Sequence, residues 1–184
     1  MKHLRTLPLA AVCVAALGLT ACAPMGSRTN FSQADLPAAV QVPPGHQVAM
    51  ETVGIGQITY ECRAKKDMAN EHEWVFVGPD AKLQTRGGSV IGKYWGPPAT
   101  WENNDGSKVT ATQVAVSPAG AGNIPLQLVK ANPASGMGAM QGVTYIQRVA
   151  TKGGVAPNMP CAATNVGSKQ IVQYQADYIF WKAA

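Results

Sequence analysis

Charged residues and helical segments are both scarce in this sequence. Asp, Glu, Lys and Arg make up 14% of its 184 residues, whereas about a quarter is usual for a globular domain. Glycine and proline are frequent instead, with 19 Gly and 13 Pro. No stretch of twelve residues shows the 3.6-residue apolar period of an amphipathic helix. These features argue against a helical fold and favour short strands joined by turns.

Motifs for metal, nucleotide or nucleophilic chemistry are also missing. His46 and His72 are the only histidines after the N-terminal segment, which is too few for a typical zinc site. If Gly106 is the sixth position of a calcium loop, the first and twelfth positions are Trp101 and Thr112, where carboxylates are needed. The glycines around Gly136 do not fit a dinucleotide fingerprint, and no G-x-S-x-G elbow is present. The sequence therefore predicts no metal and no cofactor, and it identifies no reaction.

The charge of the chain gives little support for a nucleic-acid partner. The formal net charge is +5. Removal of residues 1–21 takes Lys2 and Arg5 away and leaves 13 basic against 10 acidic residues, or +3. The remaining basic residues are scattered, whereas nucleic-acid surfaces need clustered charge with stacking aromatics. We expect no nucleic-acid binding.

The N-terminus has the features of an export signal. Lys2 and Arg5 precede an apolar run over 7–19, which is too short to span a membrane comfortably. The run ends in Leu-Thr-Ala-Cys at 19–22, which resembles the bacterial lipobox, so residues 1–21 are predicted to be a lipoprotein signal peptide and Cys22 its lipid anchor. An ordinary signal cleaved nearby, with Cys22 unmodified, is the alternative. Ala23 in place of Asp favours the outer membrane, facing the periplasm, over a soluble periplasmic or secreted protein.

The mature chain divides into a tether and one domain. Residues 22–45 are rich in Pro and Gly without periodicity, which predicts a lipidated N-terminus and a flexible tether. From residue 46 to residue 184, alternating apolar and polar residues separated by glycine turns predict short strands. The clearest is at the C-terminus, where Val172, Tyr174 and Tyr178 share one face and Trp181 interrupts the polar one. The fold class is all-β: an antiparallel sandwich or small barrel.

Two cysteines remain for the folded domain. Cys13 leaves with the signal and Cys22 is assigned to lipid, so Cys62 and Cys161 are left in a chain expected to reach an oxidising compartment. A single disulfide is the simplest outcome, and closing a loop of about a hundred residues is worth roughly 4–5 kcal/mol. A redox or nucleophilic thiol pair is the alternative, although no C-x-x-C motif is present.

The segment 92–105 is the most distinctive part of the chain. Tyr94, Trp95 and Trp101 occur close to Glu102 and Asp105, a combination suited to a sugar-stacking or small-ligand surface. The alternative is that both tryptophans belong to the core. These five residues are the candidate ligand-binding set.

Carboxylates supply the competing hypothesis of an envelope hydrolase. Glu102 and Asp105 near the Trp-rich loop, together with Asp177, are its candidate acid and base residues. Asp177, Arg148 and Glu61 lie on predicted strands, and a structural ion pair is the simpler interpretation for each.

Several segments together resemble a known family. They comprise Ile58–Cys62, Pro79–Leu83, the Gly96-Pro97 to Glu102 stretch, Asp105–Ser107, Ile124–Leu126, Val143–Arg148, Thr151–Gly154, Cys161 and Tyr174–Tyr178. In this order they resemble the secreted family catalogued as domain of unknown function 3455, over about residues 45–182. The family has no established activity, so the resemblance implies a shared fold and supports the pairing of Cys62 with Cys161. Its members often carry a histidine shortly after the glycine matching Gly92, and this sequence lacks it.

The sequence therefore predicts an exported envelope lipoprotein with a binding or structural role. Its expected partners are the membrane, through the anchor, and a small ligand, a glycan or an envelope protein. The absence of a catalytic motif favours a protein that is not an enzyme. The sequence does not determine the oligomeric state.

Overall fold

The computed structural model describes residues 31–184. The predicted signal peptide and Cys22 lie outside these residues. The described chain forms eight strands and two short 3-10 turns, at Ala38–Val40 and Ala163–Asn165. The strands are β1 (His46–Lys65), β2 (Met68–Gln84), β3 (Val90–Trp95), β4 (Thr100–Asn103), β5 (Lys108–Ser117), β6 (Leu126–Ala131), β7 (Val143–Gly153) and β8 (Lys169–Ala183).

The sheet closes on itself. Each strand pairs antiparallel with its neighbour in sequence, and β8 pairs with β1 from His46↔Ala183 to Glu61↔Lys169. The all-β prediction is confirmed, and of its two alternatives the structure has the barrel. Closure satisfies the backbone groups that an open sheet would leave along its two edges.

Strand β8 follows the predicted alternation closely. Tyr174, Ala176, Tyr178 and Phe180 all lie in the barrel core and are at most 3% exposed. On β1, Gly54 lies opposite Ala176, and a Cβ added to it would lie 2.5 Å from the Tyr178 ring. The glycine therefore makes room for the large ring.

Residues 31–42 pack on the outside of the barrel, and we call this segment the strap. Val40 and Val42 of the strap are 0% and 3% exposed. They form a second apolar cluster with residues that point outward from the later strands, among them Ile179 and Trp181 of β8. This cluster explains why both residues interrupt the polar face of β8. From Phe31 onward, the predicted tether at 22–45 is thus packed chain, because its apolar side chains cover an apolar patch.

A buried glutamine fixes the strap to the barrel. Gln147 of β7 is 0% exposed. Its Nε2 donates to Gln33 Oε1 at 3.0 Å and to Val40 O at 2.6 Å, and its Oε1 accepts from Trp181 Nε1 at 2.8 Å. The buried amide of Gln147 thus has all its hydrogen bonds with protein groups. Because these bonds form in only one arrangement, they fix the position of the strap on the barrel.

The two ends of the barrel differ. At the lower end, where β6 connects to β7, the loop 132–142 folds inward and places Met140, which is 0% exposed, in the core. At the opposite end, which we call the upper mouth, the predicted disulfide is confirmed: Cys62 of β1 is bonded to Cys161 in the connection from β7 to β8. Within residues 31–184 no helix is long and apolar enough to cross a membrane.

Candidate functional site

The upper mouth contains a cavity of about 220 Å³. The cavity ends on large aromatic residues that are buried in the barrel, among them Tyr94, Trp101 and Tyr178. The side chains that line it come from β2 to β7 and are Phe76, Pro79, Tyr94, Gly96, Pro97, Ala99, Trp101, Ala111, Gln113, Gln127, Val129 and Arg148. Most are apolar, which is typical of small-molecule sites.

Two stacked rings contribute to the floor of the cavity. Tyr94 of β3 and Trp101 of β4 are directly opposite in the strand register. Their ring centroids are 4.6 Å apart with an interplanar angle of 24°. Tyr178 packs against both rings at 5.0 and 5.8 Å. Trp101 is 2% exposed, and its Nε1 has no hydrogen-bond partner among the described residues. An unpaired buried donor is costly and is uncommon outside functional or strained positions.

Three tyrosine hydroxyls are buried in the same part of the barrel core. Tyr174 and Tyr178 place their hydroxyls 3.2 Å apart, and the Tyr60 hydroxyl donates to Gly154 O at 2.8 Å. Burial raises the pKa of all three tyrosines and of Tyr94. Their hydroxyls therefore stay protonated at physiological pH and serve as hydrogen-bonding groups, not as bases.

One wall of the cavity is polar. Gln127 Nε2 donates to Gln113 Oε1 at 2.7 Å, and Gln127 is directly opposite Arg148 in the register of β6 and β7. Arg148 is half-buried, and its Nε and Nη2 both donate to Pro125 O, at 3.1 and 3.0 Å. The ion pair predicted for Arg148 is wrong for the described residues, because none of their carboxylates lies within 4.0 Å of it. The strand alternation turns this side chain to the cavity.

The five residues predicted to bind a ligand do not form one site. Tyr94 and Trp101 face the cavity, whereas Trp95 lies on the outer surface, 37% exposed, with Lys93 Nζ 6.0 Å from its ring centroid. Glu102 also lies outside, with Lys93 Nζ at 3.4 Å. The reason is the two-residue period of a strand, which turns adjacent residues to opposite faces.

Asp105 lies at the lower end of the barrel and has a structural role there. Its carboxylate accepts hydrogen bonds from Ser107 N at 2.9 Å, Ser107 Oγ at 2.5 Å and Ala139 N at 2.8 Å. These bonds lower the pKa of Asp105, the Ser107 hydroxyl having the largest effect. A Cβ on Gly138 would overlap the carboxylate. Asp105 therefore holds the loop that closes the barrel.

The remaining candidate carboxylates form ion pairs, as predicted. Asp177 Oδ2 lies 3.0 Å from Arg86 Nη1, and Glu61 Oε1 lies 3.1 Å from Arg63 Nε. Asp177 is only 9% exposed, and neither carboxylate belongs to the barrel core. Among residues 31–184 no group of three or more His, Cys, Asp or Glu is arranged to hold a metal ion.

A second hollow of about 390 Å³ lies on the outer surface. Lys82 of β2, Lys93 of β3 and Glu102 of β4 line it and are opposite one another in the register, followed by Lys108 of β5. Glu102 lies between Lys93 and Lys108, at 3.4 and 3.9 Å. Because its charges are largely paired and it has no aromatic lining, this hollow is less suited to a ligand than the mouth cavity.

Sequence reasoning missed the polar wall. Gln113, Gln127 and Arg148 are 14 and 21 residues apart along the chain. Each shares a strand face with residues of the core: Gln127 with Val129, and Arg148 with Ile146. A polar residue at the end of an apolar strand face is the signal that could have identified them.

The fold and the cavity define the class of this protein: a closed, eight-stranded antiparallel β-barrel with an aromatic-floored cavity at one mouth. The chain belongs to the family described as "Protein of unknown function (DUF3455)", whose model matches residues 43–182. The family resemblance predicted from the sequence is thereby confirmed. No curated protein and no solved structure matches the chain.

Proposed function

We propose that this protein is a binding protein, not an enzyme, and that it holds a small molecule with a single ring in the mouth cavity. The observation that carries the proposal is the cavity over the stacked Tyr94–Trp101 pair. An aromatic floor, an apolar wall and a few polar groups at one side form a binding arrangement. A ligand ring would contact the small part of this pair that is exposed to the cavity, and an aromatic contact, stacked or edge-to-face, contributes about 0.5–1.5 kcal/mol beyond the area that it buries.

The size of the cavity supports a ligand of one ring. Its volume of about 220 Å³ corresponds to about seven water molecules at liquid density. An apolar protein cavity of about 150 Å³ is enough for benzene. The cavity is therefore suited to a six-membered ring with one polar substituent, and it is too small for an oligosaccharide.

The arrangement of acidic residues gives little support to the hydrolase alternative. Hydrolysis by carboxylates needs two of them converging on one substrate. Glu102 is paired with two lysines on the outer surface, and Asp105 is engaged in three hydrogen bonds at the lower end. Of the three aromatic residues expected to form a glycan surface, only Trp95 is exposed, so the small-ligand hypothesis is preferred.

The proposed setting is the bacterial envelope. The lipobox-like segment at 19–22 and the disulfide both fit a protein that is exported, acylated at Cys22 and held at the outer membrane facing the periplasm. In that setting the barrel would bind its ligand in the periplasm.

The proposal is tested by blocking the cavity from the inside. Ligand-observed saturation-transfer NMR would be recorded on the full processed protein with four single-ring probes: benzoate, benzamide, benzylamine and toluene. We expect at least one probe to bind. Ala111→Leu should remove that binding, because Ala111 lines the cavity and a larger side chain there fills it.

The matched control is Thr112→Leu, the neighbouring residue on β5, which is exposed. This variant adds a similar side chain on the opposite face of the strand and should leave binding unchanged. Failure of all four probes to bind, or binding that survives Ala111→Leu, would overturn the proposal.

A further inference from the structure

Arg148 is the only charged residue among those that line the mouth cavity. It is placed on β7 between Ile146, which lies in the barrel core, and the end of the strand. Its positive charge lowers the pKa of the buried Tyr60, Tyr94 and Tyr174 hydroxyls, although burial dominates and raises all three. The positive charge of the guanidinium therefore acts on hydroxyl groups inside the barrel.

The guanidinium is held in place on one edge and available on the other. Nε and Nη2 both donate to Pro125 O, which occupies the edge that these two nitrogens share. A guanidinium has five N–H donors. The two N–H donors of Nη1 and the second N–H donor of Nη2 therefore remain for other partners. Nη1 and Nη2 together form the end-on edge of the guanidinium. This edge has the spacing that matches the two oxygens of a carboxylate.

No acidic group of the described chain neutralises this side chain. Carboxylates on the outer surface pair with Arg86, Lys93 and other exposed cations, and none lies within 4.0 Å of Arg148. Arg148 is partly exposed at the mouth, its guanidinium has two hydrogen bonds to Pro125 O, and no acidic partner among the described residues competes for its charge. An anion bound in the cavity would supply that partner.

The neighbouring groups fit an anion attached to a ring. Gln127 lies directly opposite Arg148, and its amide is held by Gln113 at 2.7 Å, so the polar wall is ordered on three adjacent strands. The Tyr94–Trp101 pair, also part of the lining, supplies the apolar surface. Charge and aromatic surface are thus combined in one cavity of about 220 Å³.

Building on the proposed binding function, we propose that the ligand of this cavity is a small aromatic carboxylate. Its carboxylate group pairs with the end-on edge of Arg148, and its ring lies against the Tyr94–Trp101 pair. Charge-assisted hydrogen bonds to an ordered guanidinium give discrimination on the order of ten- to a hundredfold against a neutral ligand of the same shape.

The first experiment compares benzoate with benzamide by titration calorimetry on the full processed protein. The two probes share ring and shape, and only benzoate carries a charge. We expect benzoate to bind about tenfold more tightly or better. Equal affinities, or no binding of benzoate, would overturn the carboxylate proposal while leaving the proposed binding function in place, whereas that function falls only if toluene and benzylamine also fail to bind.

The second experiment changes the cation. Arg148→Gln should reduce the affinity for benzoate by about ten- to a hundredfold and leave that for benzamide within about twofold. Retained benzamide binding shows that the cavity is still folded. Arg148→Lys keeps the charge without the planar fork and should give an intermediate benzoate affinity.

The matched control is Lys130→Gln, which removes one positive charge from the exposed face of the neighbouring strand β6. This variant should bind benzoate like the original protein. Equal losses of benzoate affinity in Lys130→Gln and Arg148→Gln would indicate a general effect of net charge and would overturn the assignment. If Arg148→Gln does not fold, the benzoate-to-benzamide ratio of the unmodified protein and of Arg148→Lys decides the question.

Discussion

At the scale of single residues, identical side-chain types have different roles in this barrel because of the face on which they lie. Trp101 is buried in the cavity floor, while Trp95, six residues earlier, is 37% exposed on the outer surface. Among the charged residues, Glu102 pairs with exposed lysines, whereas Arg148 has no acidic partner in the described chain. The strand face on which a residue lies thus decides whether its side chain reaches the cavity or the outer surface.

Asp105 is a residue whose charge should matter for stability. Its hydrogen bonds lower its pKa, so the folded state binds this proton less readily than the unfolded chain does. The stabilisation is present above the pKa of the unfolded residue, about 3.9, and is lost as the pH falls through the lower pKa of the folded state.

Asp105→Asn should therefore lower the melting temperature at neutral pH by several degrees and leave a smaller difference at strongly acidic pH. The measurement is thermal unfolding followed by circular dichroism between acidic and neutral pH. Asp80→Asn, at an exposed position on β2, is the control and should change little. A difference for Asp105→Asn that is independent of pH would contradict this account.

At the scale of elements, the strap gives the barrel a second core. Residues 31–42 cover the outward-facing apolar side chains of β6, β7 and β8, among them Leu128, Val149 and Ile179. Without it these residues would form an exposed apolar patch on three adjacent strands, which is a risk for aggregation. The strap is therefore part of the folded unit, and the boundary of that unit lies before residue 46.

Val40 tests the contribution of the strap. Val40→Ala removes two buried methyl groups and leaves a cavity, which should lower the free energy of unfolding by about 2 kcal/mol. The measurement is urea unfolding at equilibrium. Val114→Ala, at a position that is 54% exposed, removes the same groups from β5 and should have an effect of less than about 0.5 kcal/mol. Equal effects of the two substitutions would show that the strap adds nothing to stability.

At the scale of the whole molecule, the strap also changes the geometry of the proposed anchoring. Eight residues separate Cys22 from Phe31, the first residue that the structure describes. Fully extended, the nine residue steps between these two positions span at most about 30 Å. If Cys22 carries lipid, the barrel is held within that distance of the membrane surface. The chain toward the anchor leaves the barrel on the side formed by β6 to β8.

The proposed anchor makes a prediction that is independent of ligand binding. Growth with radioactive palmitate should label the protein, and Cys22→Ser should abolish the label and release the protein from the membrane fraction. Cys13→Ser, within the predicted signal, is the control and should keep the label. A label that survives Cys22→Ser would exclude acylation at this residue.

The features that depend on local pattern could be predicted from the sequence alone. The period of two over Val172–Phe180 identified β8 and its inner face, and the count of cysteines left Cys62 and Cys161 for the disulfide. These predictions succeed because alternation and residue chemistry are properties of a short segment, independent of its partners.

The closure of the sheet, the docking of the strap and the composition of the cavity depend on contacts between distant segments and could not be predicted from the sequence. Gln113, Gln127 and Arg148 come from three strands, and their convergence depends on the register of each pair and on the irregularity between Gln113 and Ala115. A shift of one residue would turn each of these side chains to the other face. Register is fixed by the packing of the whole barrel, which is why no single segment of the sequence contains the site.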